Sequence, residues 1–220
     1  MCTCMSKRSF IMSATAAMLY PTFSKAQNTD AIRALSGKLN LDAFKSNNAA
    51  RISTNQKKTV FVIGEDAFLS NEKFEAEIEF DNDGVLKKLK VLSGQALAAL
   101  KPINRRSTEL LLPNSTASVR GTGFFIDVDV SKPHDYICCC YGEIQFNNST
   151  SGEKQHLKNS YHSATAINER GDLVSPKFNF PYGHYDDESV LLENSVGRKP
   201  HWQLPDNKMQ FLSPTPLPAI

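Results

Sequence analysis

Three adjacent cysteines, Cys138, Cys139 and Cys140, are the residues of this sequence whose types and spacing point most directly to chemistry. Side chains two positions apart on a strand face the same side, so the sulfurs of Cys138 and Cys140 are expected to point together. Two thiolates and two imidazoles form a tetrahedral ligand set that suits Zn²⁺, and soft sulfur also suits Cu(I). His162 and His184 are the candidate imidazole partners. A metal site predicts that these four side chains converge within about 4 Å.

Two other interpretations of these residues remain open. The cysteines are small enough to be ordinary buried core residues, with the histidines on loops, and their spacing matches no zinc-finger pattern. A thiol enzyme would pair Cys140 with His162, and it predicts a partly exposed cysteine with a lowered pKa. The sequence contains no G-x-S-x-G motif, phosphate-binding loop or dinucleotide fingerprint. No enzyme class is therefore indicated, and we expect a non-enzymatic protein.

The first 26 residues are typical of a signal peptide. Lys7 and Arg8 form a basic start, and residues 11–20 form an apolar run that is too short to span a membrane. Residues 24–26 (S-K-A) provide a small-residue cleavage site. The basic start resembles a twin-arginine leader in which Lys7 replaces the first arginine, and ordinary Sec export is the alternative route. We therefore predict a periplasmic or secreted protein whose mature chain has no membrane span.

Charge and cysteine usage narrow the class of the mature protein. The whole chain carries a formal net charge of +2, and removal of the leader, with its three basic and no acidic residues, leaves −1. A nearly neutral chain gives no electrostatic reason to expect a nucleic acid as partner. Cleavage would also remove Cys2 and Cys4, so that an odd number of cysteines, all adjacent, remains. This pattern does not fit a disulfide framework.

The middle of the sequence is predicted to consist of short strands separated by turns. Residues 59–63 are β-branched and aromatic, and residues 74–80 alternate apolar with acidic side chains, which is typical of a strand with one solvated face. Residues 95–100 are ambiguous between strand and helix. The recurring turns favour an all-β fold, a β-sandwich or β-roll of short strands. The clearest predicted strands are Thr59–Ile63, Phe74–Phe80, Val85–Leu92, Glu109–Leu112, Gly123–Val130 and Tyr136–Phe146.

The character of the sequence changes after the last of these strands. Residues 153–182 show few strong periodicities, whereas Asp186–Glu193 is predicted to form a short helix with acidic residues in its first turn. Gly197 stands at the position that follows a helix C-cap. A proline-rich tail at 213–218 should be extended. We expect residues 147–220 to form a small irregular C-terminal extension with one short helix.

Several segments, in order, resemble the FecR-like family of extracytoplasmic β domains. Residues 118–126 (SVRGTGFFI) resemble the family's V-R-G-T-x-F turn and strand, and residues 140–144 (CYGEI) resemble the x-x-G-x-V strand that follows it. Residues 52–68 and 89–97 are similar to earlier parts of the family pattern. The C-terminal region resembles a smaller subset of such proteins, with an H-x-D-x-E segment at residues 184–188.

The resemblance implies that residues 27–146 form one FecR-like β domain. Signalling members relay the state of an outer-membrane receptor through a membrane helix to a sigma factor. What carries over to this chain is the fold and the role of an exported, soluble interaction or sensing module, whose partner would be another envelope protein. Glycines permit a tight turn, and an arginine can bind neighbouring carbonyls or a carboxylate. We therefore expect Arg120, Gly121, Thr122 and Gly123 to form a structural motif and not a reaction centre.

Overall fold

The computed structural model describes six segments of the chain. They are residues 32–43, 49–102, 107–147, 154–159, 161–174 and 182–199. The predicted signal peptide and the proline-rich tail lie outside the described residues.

Within these segments the chain forms thirteen strands and one short helix, so the all-β prediction is confirmed. The strands are β1 (Ile32–Ser36), β2 (Leu39–Ala43), β3 (Ala49–Thr54), β4 (Thr59–Ile63), β5 (Asp66–Ser70), β6 (Glu75–Phe80), β7 (Leu86–Ala99), β8 (Thr108–Leu112), β9 (Ser115–Val128), β10 (His134–Asn147), β11 (Lys154–Asn159), β12 (Ser163–Asn168) and β13 (Leu173–Val174). The helix is α1 (Asp186–Ser195). Each clearly predicted strand is present, and the ambiguous stretch that starts at residue 95 belongs to β7.

All the described strands belong to one sheet. Along its main path the strand order is β1-β4-β5-β7-β8-β9-β10-β12-β13. Strand β6 connects β7 to β3 and then to β2, β11 pairs with β10, and β7 also pairs directly with β9. The long strands each serve two parts of the sheet: β10, for example, pairs with β12 over residues 134–139 and with β11 over residues 142–147. The pair β7–β8 is parallel, and β10 is antiparallel to all its partners.

The central strands are buried on both faces, which explains their continuous apolar runs. In β4, for example, Phe61 and Ile63 enter a large main core, whereas Val60 and Val62 enter a smaller second core on the other face. Stacking of Phe61 on Phe68, with ring centroids 5.0 Å apart, joins β4 to β5 inside the main core. The second core consists of Val60, Val62, Ala67, Leu69, Leu97, Ala99, Phe125, Tyr136, Cys138, Cys140, Tyr141, Tyr182 and Leu192.

The motif at residues 120–123 lies in the middle of β9, where the register with β10 shifts. Gly121 has a φ of +51°, and a Cβ atom at this position would lie 2.7 Å from Pro102 Cα. At Gly123 a Cβ atom would lie 2.1 Å from Cε1 of Tyr141. Both glycines are therefore required by the close approach of neighbouring groups.

The side chain of Thr122 stabilises the same irregularity. Its Oγ lies 2.7 Å from the carbonyl oxygen of Arg120 and 3.1 Å from that of Glu143, and it accepts a hydrogen bond from the Glu143 N–H at 3.2 Å. Arg120 itself is exposed. The geometry is that of a β-bulge, a device that bends and twists a strand.

The sheet extends beyond residue 146, where the β domain was expected to end. Strands β11 and β12 both pair with β10, and β13 pairs with β12. The sequence did not predict these strands, because their mixture of polar and half-exposed side chains produces only a weak periodic signal. Their alignment on β10 places the C-terminal region directly beside the three cysteines.

Helix α1 confirms the prediction of a short helix. Its C-terminal end forms a Schellman motif: Gly197 has a φ of +71°, its N–H donates to Asn194 O, and the Arg198 N–H donates to Glu193 O. Among the described residues, no helix is long and apolar enough to cross a membrane.

Candidate metal centre

Two cysteines and two histidines meet beside the second core. Four possible ligand atoms lie within 4.8 Å of one another: the Sγ atoms of Cys138 and Cys140 and one ring nitrogen each of His162 and His184. Cys138 Sγ is 3.5 Å from His162 Nδ1, and Cys140 Sγ is 3.3 Å from His184 Nε2. The two ring nitrogens are 3.3 Å apart. The structure thus brings together the four residues that the sequence suggested, slightly farther apart than the expected distance.

Strand β10 positions the two sulfurs. Its side chains alternate between the faces of the sheet, so Cys138 and Cys140 enter the second core while Cys139 enters the main core. All three cysteines are buried and free of disulfide bonds. The strand therefore separates two thiols that can bind a ligand together from a third that cannot reach them.

His162 is held in place by its backbone. It lies just before β12 and has a φ of +41°, the one positive value outside glycine in the described part of the chain. Its N–H donates a hydrogen bond to the carbonyl oxygen of Cys140 at 2.9 Å. A side chain in the left-handed region is uncommon and is stable only where surrounding contacts impose it. This conformation places the imidazole beside the cysteines.

His184 is held by stacking and by a hydrogen bond. Its ring stacks on Phe125 with centroids 4.7 Å apart and planes 15° apart, and its Nδ1 donates to the carbonyl oxygen of Tyr182 at 3.0 Å. Because Nδ1 carries the proton, Nε2 presents its lone pair to Cys140. Gly183 lets the chain pass over Phe125, since a Cβ atom there would lie 2.5 Å from Phe125 Cζ.

Asp186 is the hydrogen-bond partner of the outer ring nitrogen of His162. His162 Nε2 donates to Asp186 Oδ1 at 2.8 Å, and the hydroxyl of Tyr161 donates to Asp186 Oδ2, also at 2.8 Å. The side chains of His162 and Asp186 are only 3% and 2% exposed. A carboxylate or carbonyl on the outer nitrogen is the usual arrangement for a histidine that binds a metal, because it fixes the orientation of the ring. Both histidines of the cluster have such a partner.

The electrostatics of the cluster favour charge on Cys138, His162 and Asp186. Burial opposes a thiolate at Cys138, but contacts with Cys140, His162 and His184 outweigh it and lower the pKa of Cys138 well below its ordinary value. Burial and the neighbouring Cys138 raise the pKa of Cys140. Burial also opposes an imidazolium at His162, yet Asp186 and Cys138 raise its pKa to about 9.

Asp186 completes this charge pattern. Its burial favours the neutral acid, but the hydrogen bonds from His162 and Tyr161 outweigh that effect and lower the pKa of Asp186. The carboxylate is therefore ionised and able to orient the imidazole.

The arrangement suits a closed metal site better than a thiol enzyme. The enzyme hypothesis paired Cys140 with His162, whereas the nearest imidazole nitrogen to Cys140 belongs to His184. Cys138 has the lowered pKa that a nucleophile needs, but its side chain is 0% exposed, so a substrate does not reach it in this conformation. Two thiols and two imidazoles, all buried, match the protein-only ligand sets of structural zinc sites.

Sequence reasoning missed the residues that hold the histidines. Asp186 was part of the H-x-D-x-E segment and of the acidic first turn, so the two-residue spacing from His184 was an available signal. Tyr161 adjoins a candidate ligand but offered no signal of its own. Phe125 and Tyr182 carry no pattern that distinguishes them from other core aromatics. Their roles follow only from the packing of the chain.

Similarity to known proteins is found in the fold alone. No protein-family model matches the chain, and no curated protein is significantly similar to it. Two solved structures of candidate anti-sigma factors from Parabacteroides distasonis are similar to parts of this fold. One has 10% identity and a TM-score of 0.45 and covers 56% of this chain and 57% of its own. The other has 10% identity and a TM-score of 0.37, with coverage of 65% and 58%. This chain thus spans less than two thirds of either neighbour, and the likeness assigns it neither a family nor a function.

Proposed function

We propose that this chain is an exported metal-binding β module that holds one Zn²⁺ ion at Cys138, Cys140, His162 and His184. The observation that carries the proposal is the convergence of four buried donor atoms within 4.8 Å. The hydrogen bonds on the outer nitrogens of both histidines support it, because they direct the inner nitrogens towards the sulfurs.

Zinc fits the ligand set better than copper on grounds of charge. A divalent ion with two thiolates and two neutral imidazoles forms a centre of zero net charge, which reduces the cost of burying it. Cu(I) would leave a net negative centre beside the carboxylate of Asp186. Copper is the alternative ion for this site, and metal analysis distinguishes it from zinc.

Metal content of the purified protein tests the proposal. Protein recovered from the periplasm should contain about one zinc per chain, and a Cys138→Ser/Cys140→Ser variant should contain almost none. Cys139→Ala is the matched control, because Cys139 is equally buried but faces the main core, and it should retain the metal. Equal, near-zero metal in the parent protein and the double variant would contradict the proposal. One copper ion per chain would instead identify copper as the metal that this site binds.

A second proposal concerns the setting of the module. The FecR-like resemblance suggests an interaction or sensing role with another envelope protein. Leu35 in β1 and Leu41 in β2 are 44% and 37% exposed, and each of these strands pairs with one neighbour within the described residues. A free strand edge with apolar side chains can accept a strand from a partner.

Crosslinking in the periplasm from a photoreactive residue at position 35 should trap that partner, and a photoreactive residue in place of the exposed Lys199 provides the control. Equal crosslinking from both positions would contradict a partner at this edge.

A further inference from the structure

The four donor residues come from three separate stretches of chain, and the last stretch leads directly into helix α1. Cys138 and Cys140 belong to the sheet, His162 precedes β12, and His184 stands two residues before the helix begins. Asp186, the first residue of the helix, reaches back to His162. The helix is therefore connected to the cluster twice, through the backbone at His184 and through the side chain of Asp186.

Apolar packing alone contributes little to the stability of helix α1 in its position against the sheet. Leu192 enters the second core, but Leu191 is 51% exposed, and the other buried residues of the helix are polar or acidic. A helix of ten residues is marginal in water without tertiary contacts. The polar contacts at its two ends must therefore contribute much of the stability of its docked position.

The two ends of the helix are held differently. At the C-terminal end, Arg198 contacts Glu193 Oε2 at 2.6 Å and donates to the carbonyl oxygen of Ala99 at 2.9 Å. The hydroxyl of Tyr141 also donates to Glu193.

At the N-terminal end, the side chain of Asp186 accepts hydrogen bonds from His162 and from the adjoining Tyr161. Glu188 in the same turn forms an ion pair with Lys58, the residue before β4, and this contact does not involve the cluster.

We infer that Asp186 is a positioning residue that couples the metal ion to helix α1, so that the bound ion holds residues 182–199 against the second core. This inference rests on the proposed metal-binding function. A metal ion bound at Nδ1 of His162 would fix the orientation of the imidazole ring. The Nε2–H group would then point at Asp186, which accepts its hydrogen bond. The same ion anchors His184, which leads into the helix. Loading of the site then determines how firmly the helix covers Phe125, Leu97 and their neighbours in the second core.

Amide hydrogen exchange of the full mature chain tests the coupling. We compare protein kept reduced and metal-free with a chelator against the same protein with one equivalent of Zn²⁺. Peptides within residues 182–199 should exchange roughly tenfold more slowly with zinc, whereas peptides from β4 and β5 should change little. If zinc binds at one ion per chain and the exchange of residues 182–199 is unchanged, the coupling is refuted while the metal-binding function stands. If zinc does not bind, the proposed function itself fails.

Two neighbouring variants identify the role of Asp186. Asp186→Asn keeps all four donor residues but loses the negative charge, and it should bind zinc about 10–100-fold more weakly. Asp187→Asn is the matched control, because Asp187 lies in the same helical turn but is exposed, and it should behave like the parent protein.

The exchange pattern of these variants separates coupling from simple helix stability. With zinc bound, Asp186→Asn should show a smaller zinc-dependent protection of residues 182–199, while the Co²⁺-substituted protein keeps the absorption of a site with two sulfur and two nitrogen ligands. If Asp186→Asn speeds exchange equally with and without zinc, Asp186 serves the helix alone and the inference is wrong. The same conclusion follows if Asp187→Asn weakens zinc as much as Asp186→Asn.

Discussion

Gly123 lies against the ring of Tyr141, and its replacement tests the close contact in the β-bulge. In Gly123→Ala the new Cβ would lie 2.1 Å from the ring, so Tyr141 must move, and we expect a loss of about 1–3 kcal/mol in the free energy of unfolding. At Gly197 a Cβ meets nothing within 4 Å, and only the positive φ disfavours alanine, at a cost of about 1 kcal/mol. Urea unfolding measures both variants, and a larger loss for Gly197→Ala would contradict the steric argument.

Two buried carboxyl groups should make the stability of the fold depend on pH. Burial raises the pKa of Asp66 and of Asp135 from 3.8 to about 6. Because the folded protein binds these protons more tightly than the unfolded chain, their contribution to stability is complete below about pH 4 and is lost as the pH rises through about 6. The free energy of unfolding should therefore fall over this window.

Asp66→Asn isolates one of these groups. The amide oxygen can still accept the hydrogen bond that the Lys101 N–H donates at 2.7 Å, but the side chain no longer ionises. The variant should match the parent protein near pH 4 and exceed it at pH 7.5 by on the order of 2 kcal/mol. Urea unfolding at the two pH values gives the comparison. A constant difference between the two proteins at both values would show that ionisation of Asp66 is not the cause.

At the scale of the element, strand β10 determines where the sulfurs lie. Because it is buried on both faces, its alternation assigns Cys139 to the main core and the other two cysteines to the second core. A shift of the register by one residue would exchange these positions and separate the thiols from His162 and His184. The long ladder between β9 and β10 fixes this register.

The contacts of Arg198 at the C-terminal end of helix α1 give a prediction at this scale. Arg198 joins Glu193 to the carbonyl oxygens of Ala99 and Glu65, and the compact ammonium of a lysine does not reproduce such a fork. Arg198→Lys should speed amide exchange in the helix several-fold and leave the exchange of β10 unchanged. Lys199→Arg is the control, because Lys199 is exposed. Unchanged exchange in Arg198→Lys would show that the C-terminal contacts do not hold the helix.

At the scale of the whole molecule, the export predicted from the first 26 residues would determine the compartment in which the protein acquires a metal ion. We expect the mature chain to begin at Gln27, after cleavage behind the S-K-A sequence. Mass spectrometry of protein from the periplasmic fraction measures this terminus. Arg8→Lys keeps the charge but should block twin-arginine export, whereas the Sec route should tolerate it. A full-length chain that begins at Met1 and stays in the cytoplasm would contradict the leader.

The sequence by itself determined the all-β class, six of the thirteen described strands and the short helix with the glycine that follows its C-cap. These features depend on local patterns: side-chain alternation, turn residues and helix-ending signals act within a few residues. It also suggested the four donor residues, since the i, i+2 spacing of the cysteines fixes their common face. It did not reveal β11, β12 and β13, whose patterns are weak.

Only the tertiary structure decided which groups meet. His162 lies 24 residues from Cys138, which it contacts, and His184 lies 44 residues from Cys140. Asp186 lies 24 residues from the histidine that it orients. Contacts over such separations depend on strand pairing, on the left-handed backbone at His162 and on the docking of helix α1. None of these leaves a periodic signal, because each arises from the packing of distant segments and not from the order of neighbouring residues.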